Sequence, residues 1–167
     1  MNEQARLTLQ HTIQELERLV PPDYVQGSHK AAAEKLPPDD PEVLRVYVTA
    51  SQLFVESRLA GYMAAIKALF GANLLTPSPT QRGWKFWKAP LFSAAETKDL
   101  VSALERSTSK YNRQLERWNR DFDSFDASPP KVDLPRVIEV AKIADIVCAS
   151  IRHHSAGFSK VLRKYEG

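Results

Sequence analysis

The chain has 167 residues, a formal charge of +3 and a pI near 9.0, with 43% hydrophobic and 26% charged residues. A chain of this size buries about 70% of the surface its unfolded form exposes, so it needs neither metal nor disulfide to fold as one domain over residues 1–167. The mild basicity is far from that of a dedicated nucleic-acid binder, and the lone cysteine, Cys148, excludes an internal disulfide and a multi-cysteine zinc site.

The N-terminus lacks an apolar leader, and the longest uncharged run, residues 68–81, is broken by Asn73, Pro77 and Pro79. A cytoplasmic protein is therefore expected. The 11 prolines act as punctuation between long stretches with few breakers, the habit of a helical chain.

The first helix is predicted from Glu3 to Val20. Leu7, Leu9, Ile13, Leu16, Leu19 and Val20 supply an apolar face, and Pro21-Pro22 ends it. Residues 21–40 are a candidate flexible segment, with one helical turn expected around Ser28–Leu36. The second helix is capped by Asp40, opens on Pro41 and Glu42, and stops at Gly71 or Asn73. That is some 30 residues, about 45 Å.

A long connection over residues 72–93 follows. The third helix is announced by the capping box Ser93-x-x-Glu96. From Leu104 its apolar positions Thr108, Tyr111, Leu115, Trp118, Phe122 and Phe125 step alternately by four and three, the pattern of a helix packed lengthwise on another. The fourth begins near Asp133 and is apolar nearly all round through Ile151, which places it in the middle of a bundle. Gly157 is read as a kink or an end. The expected fold is all-α, a four-helix bundle with long second and third helices and a long aromatic-basic loop between them.

Catalytic signatures are not found: no Gly-x-Gly-x-x-Gly, no phosphate loop, no His-Glu-x-x-His, no Gly-x-Ser-x-Gly. His153 and His154 project about 100° apart on a helix and cannot easily share a metal. With Arg152 they are read as cationic residues near a helix C-terminus, favoured by its dipole. Cys148, among Ile146, Val147 and Ile151, is expected to be a buried, inert thiol. No catalytic residue, metal or cofactor is assigned. A small helical enzyme or nuclease around Arg152, His153 and His154 is the least favoured reading.

Charge is unevenly distributed. Residues 1–45 carry −3, residues 46–93 +4, residues 94–133 −1 and residues 134–167 +3. The loop gathers Arg82, Trp84, Lys85, Phe86, Trp87, Lys88 and Phe92, and the tail gathers Arg152, His153, His154, Lys160, Arg163 and Lys164. The loop fits a lid on the bundle, an interfacial anchor on an anionic membrane, or a partner-binding hot spot. Nucleic acid needs a larger basic surface and is not expected.

Trp87-Lys88-Ala89-Pro90-Leu91-Phe92, Glu96-Thr97, Leu100, Leu104-Glu105-Arg106 and Leu115 form a loop-to-helix junction. It resembles the Trp-Pro-Leu … Glu-Thr … Leu … Leu-Glu-Arg pattern of the N-terminal helical domains of fungal NLR-like (STAND) proteins and their HeLo-like relatives. The likeness spans residues 84–118. It implies a signalling or cell-death module that self-associates or engages a membrane. From the residues themselves, the leading expectation is a non-enzymatic helical adaptor that binds a protein partner or itself, with residues 82–92 as the interaction surface. The alternative is a peripheral membrane-acting or cell-death-type domain using the same loop and the basic tail.

Overall fold

The computed structural model describes residues 1–73, 90–106 and 132–166. Among these residues the fold is all-α. It comprises α1 (Glu3–Arg18), α2 (Ser28–Ala33), α3 (Pro41–Asn73), α4 (residues 94–106) and α5 (Leu134–Glu166). Residues 74–89 and 107–131, which carry the aromatic-basic loop and most of the four-three repeat, lie outside the described residues.

Each helix starts where local chemistry satisfies its free amides. The Asn2 side chain accepts from the Ala5 amide at 2.8 Å, a cap that the expected start at Glu3 does not include. Asp40 Oδ1 accepts from Glu42 and Val43 at 3.2 and 3.1 Å, as its position before Pro41 predicts. The capping box is formed in both directions. Ser93 donates its amide to Glu96 Oε2 at 2.7 Å, and Glu96 donates its amide to Ser93 Oγ at 3.3 Å. Asp133 accepts from the Arg136 amide at 3.0 Å and opens α5.

Helix α5 is the organising element, packing against α1, α2 and α3. Its pairings define the directions of its neighbours. Gln10 meets Glu166 and Ser155 meets Glu17, so α1 runs antiparallel to it. Asp99 meets Lys164 while Ala103 faces Gly157, so α4 is antiparallel too. Leu44 and Val48 cluster with Val137 and Val140, and Tyr62 meets His154, so α3 runs parallel to α5.

The main core joins Leu9, Leu16, Val55, Leu69, Phe92, Leu100 and Phe158, among others, and a second cluster joins Ala33 and Leu44 to Val137 and Ala141. Burying a large aliphatic or aromatic side chain stabilises a fold by about 1.5–3 kcal/mol, so these clusters supply the main favourable term.

Two expectations are corrected here. Gly157 does not end the last helix, which continues to Glu166. It faces Ala103 of α4, where a Cβ would lie in ordinary contact, 3.4 Å from the Ala103 Cβ. Residues 21–40 are not a free linker. Arg152 donates to the carbonyls of Tyr24 at 2.8 Å and Pro21 at 3.3 Å, and Tyr24 Oη donates to the Asp145 carbonyl at 3.0 Å. Three side-chain bonds to a central helix hold a segment that its prolines and polar residues alone suggest is loose.

Candidate functional site

The basic tail divides into three groups once α5 is wound. Arg152 is spent on the α1–α2 connection, where its guanidinium also lies 4.9 Å from the Tyr24 ring centre. His154, expected on a basic surface, is buried at 2% exposure. It faces Tyr62, with Nε2 3.5 Å from the Tyr62 hydroxyl and ring centres 5.1 Å apart. Its Nδ1 is buried without a hydrogen-bond partner of acceptable geometry. Burial pushes the imidazole below its ordinary pKa, an effect that the carbonyls of Leu104 and Ser150 only partly offset. A neutral imidazole held this way is a core residue. Burial likewise pushes Tyr62 up to about 12.

The third group stays in solvent. His153, Lys160, Arg163 and Lys164 are exposed, and His153, Lys160 and Lys164 line one groove between α4 and α5. Positions 153, 156, 157, 160, 161 and 164 share a helix face by their three-four spacing. Asp99, Ala103 and Arg106 of α4 form the opposite wall. The cavity is about 350 Å³. Asp99 is ion-paired to Lys164 and accepts from Tyr165 Oη at 2.7 Å, which together hold its carboxyl below the ordinary value. The sequence grouped His153, Lys160 and Lys164 with the whole basic tail, and their three-four spacing is the signal that separates them from Arg152, His154 and Arg163. Arg106 and Asp99 could not be added to that set without knowing that α4 runs antiparallel to α5.

Phe92 was expected on an interaction surface and is instead part of the main core, 1% exposed. Met1 and Leu91 pack against that core, and Asn2 Nδ2 donates to the Leu91 carbonyl at 3.1 Å. Those contacts draw the segment before α4 down onto the start of α1. Arg82, Trp84, Lys85, Phe86, Trp87 and Lys88 lie outside the described residues.

Cys148 is fully buried and its thiol is pushed up to about 11, first by burial and then by nearby Asp145. The thiolate is therefore scarce near neutrality, in keeping with a packing role. Among the described residues no group of three or more His, Cys, Asp or Glu side chains could hold a metal ion. None of the described helices is long and apolar enough to cross a membrane.

Helix α3 carries the surface feature that the sequence reading overlooked. Its inner face holds Leu44, Val48, Val55 and Leu69. Its outer face is also apolar: Val46, Leu53 and Met63 are 63%, 62% and 60% exposed, and Ala50, Ala60 and Ala64 are exposed with them. Val43, Val46, Ala50, Leu53, Ser57, Ala60 and Ala64 alternate by three and four, a seam at the spacing of paired helices. The signal was present in the sequence as a second apolar stripe on the same helix.

Comparison of the chain with protein-family models, curated proteins and solved structures gave no match.

Proposed function

We propose that this chain is a non-enzymatic helical module, a four-helix bundle acting through protein–protein contact, and that the outer face of α3 is its contact surface. The observation that carries this reading is the exposed apolar seam from Val43 to Ala64. Scattered exposed apolar residues are ordinary, whereas a seam at helix-pairing spacing is typical of an interaction site. Glu42, Arg45, Glu56 and Lys67 flank it and are all exposed. The seam itself is uncharged, as the core of an interface is, with charges at its rim.

The occupant that fits is a second copy of the chain. The seam is about 30 Å long, and two such helices laid side by side satisfy each other with the same residues. Having both charge signs on the rim allows an antiparallel pair to set Glu42 against a Lys67 of its partner. Analytical ultracentrifugation over a concentration series tests this. The native chain is expected to dimerise and Leu53→Glu to remain monomeric with unchanged helicity. A native chain that stays monomeric at high concentration removes the reading.

The second reading, a peripheral membrane-acting or cell-death-type domain, draws on the exposed cations of α5. Co-sedimentation that rises with the anionic lipid content of vesicles, undiminished by Leu53→Glu, would favour it.

A further inference from the structure

We infer that the groove between α1 and the C-terminal end of α3 receives the α2–α3 connection, residues 37–40, of a second copy of the chain. This rests on the α3 seam as a contact between copies, and it adds a second pair of elements and a direction to that contact.

The seam alone is small. With its flanking charges it brings about a dozen residues a side, whereas a standard interface uses roughly 20–30 residues and about 800 Å² a side. The groove adjoins the seam directly: Ala68, which lines it, follows Ala64 by four residues and shares its face. The groove holds about 500 Å³, and its opposite wall is the edge of α1 that carries Gln4, Leu7 and His11, with Leu7 47% exposed.

The seam favours one direction of pairing. Val46 and Leu53 lie in its first half, Ala60 and Ala64 in its second. An antiparallel pair sets Val46 against Ala64 of the other copy and Leu53 against Ser57, large against small, with Glu42 near Lys67. A parallel pair sets Leu53 on Leu53 and Glu42 on Glu42.

The fold then fixes what meets the groove, because α1 and α2 pack on the same flank of α3. Arg58 Nε donates to the Leu19 carbonyl at 3.1 Å, while Tyr47 Oη donates to the His29 carbonyl and the Phe54 ring centre lies 4.9 Å from that of His29. Positions 47, 54, 58 and 61 share this flank, with α2 beside the first half of α3 and α1 beside the second. Two-fold antiparallel pairing keeps the flank on one side and reverses its order. The α1 edge of each copy therefore faces the start of α3, and the connection before it, in the other.

The chemistry of the two surfaces matches. Pro37, Pro38 and Asp39 are exposed, and residues 34–42 hold four carboxylates against one lysine. The groove lining holds no carboxylate, and the side-chain amides of Gln4 and Gln14 make no hydrogen bond among the described residues, so they remain as donors for Asp39 and the carbonyls of the connection. The two-fold repeats the contact, so each copy gains both a groove and a connection at the interface.

Sedimentation equilibrium and disulfide trapping test this. Leu7→Glu is expected to weaken dimerisation about tenfold or more, and Lys160→Glu, at an exposed position on α5, to leave it within about twofold. Under a mild oxidant, a mixture of His11→Cys and Asp39→Cys chains is expected to yield a mixed disulfide-linked dimer that neither variant forms alone; Cys148 is buried in both. A dimer lost with Leu53→Glu that keeps its native affinity with Leu7→Glu and gives no mixed disulfide overturns the groove contact and leaves the seam standing. Self-linked dimers of either variant alone overturn the antiparallel order. A native chain that stays monomeric removes seam and groove together. If Leu7→Glu loses helicity, the mixed disulfide decides.

Discussion

The Asp145 carboxylate does for α2 what Gly27 cannot. Gly27 stands at the N-cap of α2 with a positive φ of 83° and offers no side chain. From α5, Asp145 accepts the amides of His29 at 3.2 Å and Lys30 at 3.0 Å, one on each oxygen, and so caps α2 from another helix. The aspartate is buried, and Tyr47 Oη closes the junction by donating to the His29 carbonyl at 3.0 Å.

A helix of six residues has almost no intrinsic stability, so this cap is expected to decide whether α2 forms. Replacing Asp145 by Ala strands two amides in a partly buried setting and is expected to cost about 1–3 kcal/mol. Asp145→Asn keeps one acceptor and should cost less. Urea denaturation gives the cost, and hydrogen exchange shows whether the loss begins at the amides of residues 28–36. Uniform loss of protection along the chain would falsify the local role.

His154 gives the fold an acid sensitivity with a defined sign. Its pKa is lowered in the folded state, so the native form keeps a neutral imidazole where the unfolded chain takes up a proton. Stability is therefore full above the ordinary histidine value of about 6.5 and falls as pH drops from there toward the folded value. His154→Phe should flatten this part of the profile, measured as the urea midpoint between pH 7 and pH 5 against the native chain. A native midpoint that is constant across that window contradicts the argument.

Gly157 offers a test of opposite direction. It lies inside a long helix, where glycine costs about 0.5–1 kcal/mol relative to alanine, and a Cβ there makes only ordinary contact with Ala103. Gly157→Ala should raise stability by up to about 1 kcal/mol, read as a higher thermal midpoint. Gly157→Leu should lower it by driving α4 away from α5. At Gly61 the space is tighter, since a Cβ would come 2.5 Å from Leu19 Cδ2, so alanine there is expected to gain less than at Gly157.

Much of the local structure was legible in advance because its causes are local. Asp40-Pro41, Ser93 with Glu96, and Asp133 each mark a helix start within a few residues of chain, and each start is found there. The apolar run from Val137 to Ile151 indicated a central helix, since such a surface can be satisfied only by neighbours on several sides. Glu96 shows where that legibility ends. Its role in the capping box could be read from the sequence, but its 3.2 Å ion pair with the Met1 amine depends on α1 and α4 starting side by side.

The candidate sites divide the same way. Composition marked the basic tail as a surface, and only the continuous α5 sorts His153, Lys160 and Lys164 onto one face of it. Period does not tell which stripe faces inward, however, and on that point His154 and Phe92 turned out to be core and the outer face of α3 turned out to be surface. Residue types and spacing determined an all-α chain, where its helices begin, and which side chains share a face. Only the tertiary packing decided that Asp145 caps α2, that Arg152 tethers residues 21–24, and that Arg106 and Asp99 meet the cations of α5. The reason is that capping and periodicity act over three or four residues of one chain segment, whereas these contacts join residues from 54 to 131 positions apart. They depend on how the helices are arranged around α5.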